Sequence, residues 1–251
     1  MGQRRKPGEY LERSYRRAVA SQPGWTAFTV AYQQTDLWIQ AEREARDAAE
    51  RAVLEARIQV EGYARSHGGF LTTHSPLPPD PLAPVTVRWM LEAGLAAGVG
   101  PMAAVAGAIA QFVGERLLQE CGEVVVENGG DLFLFARRPL SVGIFAGASP
   151  LSNRLAFGVS PDRMPVGIAT SAASVGHSWS YGQADAACVV ADHAALADAA
   201  ATALCNRVSR PSDMEPALTW VLGLSGVRGA LVILGKSLAV QGDMELIPLG
   251  V

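Results

Sequence analysis

The sequence predicts an α+β fold, and three observations carry that expectation. Strand-like stretches come as neighbours joined by short turns, helix-like stretches separate those pairs, and single strands do not alternate with single helices as a doubly wound parallel sheet requires. At 251 residues, 49% hydrophobic and 18% charged, the chain suffices for one large core or two small fused ones.

The elements follow in order. Residues 25–40 alternate apolar and polar side chains around a turn near 33–36, and read as a strand pair. Residues 41–66 set Ala45, Ala49, Ala52, Ala56, Val60 and Tyr63 on one side and mixed charges on the other, the pattern of an amphipathic helix. Five prolines from Pro76 to Pro84 make a stiff connector. Residues 85–90 read as a strand and 101–120 as a helix with Pro101 at its first position. Strong strands at 123–128 and 132–136 flank Gly129-Gly130, and shorter ones follow at 141–145, 155–159, 166–169 and 184–191. Helices are expected over 194–206 and 217–224, and strands 230–234 and 238–241, turning at Gly235-Lys236, close the chain. Each half runs strand pair, helices, strand pair. This suggests one domain over residues 20–251, internally duplicated as 20–136 and 137–251, although no residue-level repeat accompanies it.

Charge and cysteine usage narrow the function classes. A net charge of -3 gives no overall signal for nucleic acid. Residues 1–19 form a basic arm in which Arg4, Arg5, Lys6, Arg13, Arg16 and Arg17 outnumber Glu9 and Glu12, read as an anion-binding arm or a solvated terminus. Cys121, Cys188 and Cys205 make no CxxC pair, and an odd count fits a reduced, cytoplasmic setting. Residues 93–114 are free of charge, but their glycines, alanines and Pro101 suit a tightly buried helix better than a membrane span, so no membrane is expected.

Asp198 and Thr202 lie four residues apart in a stretch of alanine and leucine, on one face of the expected helix, with Asn206 a turn further on. A carboxylate and a hydroxyl suit a hard cation such as magnesium or calcium. Equally, Thr202 bonds back to the Asp198 carbonyl while Asp198 faces water near the helix start. Gly98 and Gly100 precede a helix, where free N–H groups receive a phosphate or where tight packing demands glycine. Asn128, Gly129, Gly130 and Asp131 form a hairpin turn, or a side-chain-free approach for a flat or phosphorylated ligand. Residues 170–182 crowd small hydroxyl side chains, His177 and two aromatics between strands, as a binding loop would. There Thr170, Ser171, Ser174, His177, Ser178 and Ser180, with Asp185 beyond, are candidate ligand contacts, and His177 is the candidate proton carrier. No Ser/His/Asp triad or zinc-type spacing assembles, and His67, His74 and His193 show no ligand spacing.

Taken together, Asn128-Gly129-Gly130-Asp131, Gly167-Ile168-Ala169-Thr170-Ser171 and Ala197-Asp198 to Thr202-Ala203 occur in the order found in the ApbE-like superfamily, whose characterised members are FAD:protein FMN transferases. The chain resembles that superfamily over residues 20–245, and through residues 176–185 it is similar to its cytosolic branch in bacteria and archaea. The resemblance implies a T-fold-like architecture of two duplicated β-α-β halves around a ligand groove. It also implies Mg2+ held by Asp198 and Thr202 beside the pyrophosphate of FAD, a ligand set completed by backbone carbonyl oxygen. Two family segments differ here: the Lys-Gly position reads Ala106-Gly107-Ala108, and a His-x-x-Asp-Pro-x-Thr-Gly segment is replaced by residues 178–182. Lys6 and Lys236 are the only lysines in the chain.

The expected function is thus a magnesium-dependent transferase-like enzyme acting on FAD, FMN or another nucleotide or phosphorylated ligand. A non-catalytic binding or accessory protein, in sulfur assimilation or homocysteine formation, is the alternative. The third reading is a homo-oligomer that buries the polar helix face against a neighbouring subunit.

Overall fold

In this computed structural model, residues 24–173 and 182–249 are described. An antiparallel sheet of eight strands, ordered β1-β2-β3-β4-β7-β8-β9-β10, forms the middle layer. Its strands are β1 (Thr26–Tyr32), β2 (Thr35–Ala41), β3 (Val124–Asn128), β4 (Asp131–Phe135), β7 (Val166–Ser171), β8 (Ala186–Ala191), β9 (Val227–Leu234) and β10 (Ser237–Gly242). Five helices cover one face: α1 (Arg46–Ser66), α2 (Val85–Ala97), α3 (Val105–Leu117), α4 (Ala194–Asn206) and α5 (Met214–Leu222). A three-stranded sheet of β5 (Leu140–Gly143), β6 (Leu155–Val159) and β11 (Glu245–Pro248) covers the other. The first half runs β1-β2, three helices, β3-β4; the second runs β7-β8, two helices, β9-β10. Pairing of β4 with β7 joins them into one sheet.

Residue type explains the layers. Period two along β7 sends Val166 and Ile168 towards the small sheet and Gly167 and Ala169 towards the helices. On α1, buried Ala49, Ala52, Val53 and Ala56 recur at helical spacing and press on the sheet, while Val60 packs against α2. Helix α4 is different, because ten of its thirteen residues are buried and most are alanine. One face (Ala197, Ala200, Ala201, Leu204) meets the sheet and α5, while Ala195, Ala199 and Ala203 meet α2. Larger side chains would hold those neighbours apart. The same constraint appears opposite α4. A methyl group on Gly167 would land on the Ala194 backbone, and one on Gly107 of α3 would land on the Ala194 carbonyl and lie 2.9 Å from the Asp198 Cβ.

The structure departs from the sequence expectations in three places. Residues 85–90, expected as a strand, begin α2: Pro84 sets the entry, and Thr86, Val87, Met90, Leu91, Gly94 and Ala97 are buried at helical rather than alternate spacing. The expected helix from Pro101 opens as a 3-10 turn, Pro101–Ala104, before α3 begins. Strand β11 is not among the sequence expectations, since Glu245–Pro248 is short and carries a proline; among the described residues it pairs only with β6. Among the described residues no single helix is long and apolar enough to cross a membrane; α2 and the stretch Pro101–Leu117 would qualify only together, bent by 107°.

Because a methyl group at 107 would strike the Ala194 backbone and the Cβ of Asp198, the site has little room to relax. Gly107→Ala is expected to lower unfolding stability by about 1–3 kcal/mol with an unchanged denaturant slope. Urea unfolding followed by circular dichroism checks this, and wild-type stability in the variant would refute the close contact.

Candidate functional site

Three sequence-separated segments meet at the first turn of α3. Asp198, one turn into α4, accepts a hydrogen bond on Oδ2 from the Gly107 N–H at 2.9 Å. The Ala106 N–H also bonds this carboxylate. Asn128, at the end of β3, donates through Nδ2 to the Ala106 carbonyl at 3.1 Å. The side chains of Asp198 and Asn128 are therefore fastened to two consecutive residues of one helix start. Asp131 stands opposite Asn128 in the β3–β4 register and so shares its face. Between them Gly129 (φ 75°) and Gly130 (φ 124°) make the turn in backbone conformations that side chains disfavour. A Cβ on Gly130 would lie 3.7 Å from the Thr170 carbonyl oxygen, which places this turn beside the end of β7.

At that end Ser171 is buried, 9% exposed, and its Oγ has no hydrogen-bond partner among the described residues. Alternation with Gly167 and Ala169 puts Ser171 on the helix-facing side of the sheet. Thr170 faces the opposite way and hydrogen-bonds the thiol of Cys188. Burial, reinforced by the nearby Asp131 carboxylate, pushes Cys188 up to about 11, so its thiol stays protonated. Thr202 is buried one turn beyond Asp198.

Helices α3 and α4 cap each other. Asp198 serves the N-terminal N–H groups of α3, and Gln111 of α3 accepts from the Ala194 N–H at the start of α4 at 2.9 Å. Neither helix carries a side-chain cap of its own. Burial pushes Asp198 up to about 7 despite the Gly107 and Ala106 N–H groups, which favour its charge. Asp198 therefore does not simply face water at a helix start, as one sequence reading had it. Helix α3 covers part of that face.

The remaining expected contacts divide. The backbone of Thr73 packs directly over Gly100, which gives this glycine a packing role; the α3 N–H groups beyond it go to Asp198 rather than to an open phosphate site. Asp185 accepts from the Gly235 N–H at 2.6 Å and so fastens the β9–β10 turn to the start of β8. Ser174, His177, Ser178 and Ser180 lie outside the described residues. The ends of their segment are held, since the Ala173 N–H bonds the Ala184 carbonyl and the Gln183 N–H bonds the Val208 carbonyl just past α4. Sequence reasoning missed the Ala106 and Gly107 amides and Gln111. It also passed over His193, whose ring meets Trp89 edge-on and is held down to about 4 by burial. Backbone donors carry no residue signature, and a glutamine inside an apolar helix gives no hint of its partner.

Among the described residues, no group of three or more His, Cys, Asp or Glu side chains is arranged to hold a metal ion. Any cation here would rest on oxygen from one carboxylate, a hydroxyl and the backbone. That donor set excludes a zinc-type cage and fits magnesium, which keeps water or phosphate oxygens in its shell.

The architecture is that of the ApbE proteins. The flavin transferase ApbE from Vibrio cholerae superimposes with a TM-score of 0.57 over 87% of this chain and 97% of that one, at 11% identity. The apo flavinyl transferase ApbE of Pseudomonas stutzeri gives 0.57 over 87% and 94%, at 15% identity. At these identities the likeness establishes the fold alone. A family model described as "AbpE bacteria" matches residues 17–221, and the chain belongs to that family. UPF0280 proteins are its relatives in sequence. That of Methanosphaerula palustris is 43% identical over 216 residues, covering 85% of this chain and 89% of its own. That of Methanococcus aeolicus is 37% identical over 205 residues, covering 80% and 82%.

The half-buried carboxylate of Asp198 makes a pH-dependent prediction. The folded-state pKa of Asp198 lies above its unfolded value, so the native state binds the extra proton and stability falls as pH rises from about 4 to about 7. Asp198→Asn, which keeps an acceptor for Gly107, removes this contribution. In divalent-free buffer its melting temperature is expected to gain on wild type across that window and to run parallel above it; parallel curves throughout would refute the buried charge. His193 acts oppositely. Its folded pKa is depressed, so its contribution is present above about 6.5 and is lost as pH falls towards 4. His193→Phe is expected to flatten the acid limb of the same melting profile.

Proposed function

We propose that the protein binds a nucleotide pyrophosphate, a flavin nucleotide foremost, with a magnesium ion at the junction of α3, α4 and the β3–β4 turn. The observation that carries this reading is the pair of hydrogen bonds linking Asp198 and Asn128 to Ala106-Gly107. Through them the metal-ligand segment, the Asn-Gly-Gly-Asp turn and the position of the family's Lys-Gly segment come together at one place. Asp198 and Thr202 are the proposed side-chain ligands of the cation, with backbone carbonyl oxygen and the ligand's own phosphates completing the shell. The unpartnered Ser171 hydroxyl and the Gly129-Gly130 backbone are the proposed contacts to the nucleotide. When bound, the cation would neutralise pyrophosphate charge and polarise the phosphorus that is attacked.

The chain's own residues would bind and orient. Ala106 and Gly107 hold the Asp198 carboxylate in place, and the glycine turn lets the ligand approach the sheet. His177 is the proposed proton carrier, and Ser174, Ser178 and Ser180 are proposed ligand contacts. The flavin transferase activity of the structural neighbours suggests transfer or hydrolysis at the pyrophosphate. A second reading, binding without turnover, draws support from the missing lysine: the family's Lys-Gly position reads Ala106-Gly107, and Lys236 lies in the β9–β10 turn.

Titration of the purified protein with FAD, with and without magnesium, tests both. Flavin absorbance is expected to shift only with magnesium, and Asp198→Ala and Thr202→Val are expected to weaken binding at least tenfold. AMP release selects the enzyme, binding without release selects the accessory role, and no binding of FAD, FMN or ADP refutes both. Asp198→Ala also leaves two α3 amides without their acceptor, so it is expected to cost about 1–3 kcal/mol of stability. Asp198→Asn separates loss of the cation from loss of the cap.

A further inference from the structure

The helices and the small sheet cover the eight-stranded sheet unevenly. On the helix side the first half is closed, since Phe28 and Val30 of β1, Leu37, Ile39 and Ala41 of β2 and Val124 and Val126 of β3 share one cluster with α1 and α3. Alternation then sends Ala27, Thr29 and Ala31, with Asp36, Trp38 and Gln40 and with Val125 and Glu127, to the outer face. The cluster beneath the small sheet takes in Trp25, Val125 and Leu132 but none of Ala27, Ala31 and Trp38. The register sets the outer face in rows: Thr29, Trp38, Glu127; Ala27, Gln40, Val125; Ala31, Asp36. Its β1 margin is therefore a shelf of small, exposed side chains, and its floor carries two carboxylates. Gln40 and Glu127 are nevertheless only 3% and 4% exposed. An amide and a carboxylate withdrawn from water to that depth call for a polar, basic cover rather than an apolar one.

We propose that the N-terminal segment of the same chain, residues 9–20, lies across this outer face and closes the first half of the sheet as the small sheet closes the second. The chain enters the sheet at this place. Gly24, in the left-handed region at φ 80°, turns it just before Trp25, whose buried ring is on the outer side. The length fits, because twelve residues span from about 18 Å as a helix to about 40 Å extended, which brackets the roughly 24 Å of β1. The chemistry fits as well: Arg13, Arg16 and Arg17 outnumber Glu9 and Glu12 and match Asp36 and Glu127, while Tyr10, Leu11, Tyr15 and Val19 match Trp38 and the alanines. A second copy docking this face on itself would instead bring four carboxylates together. The basic character of the segment then serves the fold, not an external anion. Glu127 directly precedes Asn128, so the segment also braces the strand that carries the Asn-Gly-Gly-Asp turn, whether or not that turn binds a nucleotide.

Limited tryptic digestion of the full chain, read by mass spectrometry, tests the proposal. In wild type, cleavage after Arg13, Arg16 and Arg17 is expected to be at least tenfold slower than cleavage after Arg4 and Arg5, which lie outside the docked segment. Combining Asp36→Asn with Glu127→Gln is expected to bring the rates together, with unchanged circular dichroism and no new cleavage within residues 24–249. Arg16→Gln with Arg17→Gln leaves the sheet untouched and is expected to speed cleavage after Arg13 to the same degree, which keeps the test decisive if the sheet variant fails to fold. Equal cleavage at all five arginines in wild type overturns the proposal, and so does protection that survives the substitutions. Protection that grows with protein concentration places a second copy's segment on the face and overturns it too.

Discussion

Helices α3 and α4 approach each other at Gly107 until there is no room for a methyl group, and at that contact a carboxylate of one helix caps the other. Much of the molecule is arranged around this junction. It requires alanine along α4, so that the helix can lie between the sheet and α2, and it requires Gly167 in β7 beneath the start of α4. It also requires the reciprocal cap from Gln111, because α4 begins without a cap of its own and an unpaired buried N–H is costly.

The same junction gives the candidate site its chemistry. A lone acid on a buried helix face would ordinarily be a liability, and burial does hold Asp198 near neutrality. Two amides offset part of that cost, and a bound cation would offset more. The chain thus keeps in one place a hard oxygen donor, a glycine turn and an unpartnered serine hydroxyl. The first turn of α3 meets Asp198 at this junction. Its backbone donors are bound to Asp198, not open to an anion, so a phosphate would be drawn to the junction through the cation.

The two sheet edges show how local composition separates a closed boundary from an open one. Arg46 reaches from the start of α1 to a β1 carbonyl, whereas β10 presents apolar side chains and uncharged backbone. Both strands read as ordinary alternating patterns in the sequence. The difference lies in what packs beside each.

The sequence by itself determined the strand pairs around Gly129-Gly130 and Gly235-Lys236, the long α1, the full extent of α4 and the burial of Cys188 and Cys205. These depend on local signals, namely turn residues, alternation and helical periodicity, which act within a few residues. It misread residues 85–90, because a run beginning Val-Thr-Val has strand character until Pro84 and the burial of Met90, Leu91 and Gly94 impose a helix. It marked Asp198 and Asn128 without finding what their side chains bond. Only tertiary structure could decide that, since their partners are backbone groups of Ala106 and Gly107, as many as 91 residues away in the chain, and a backbone amide has no signature in sequence.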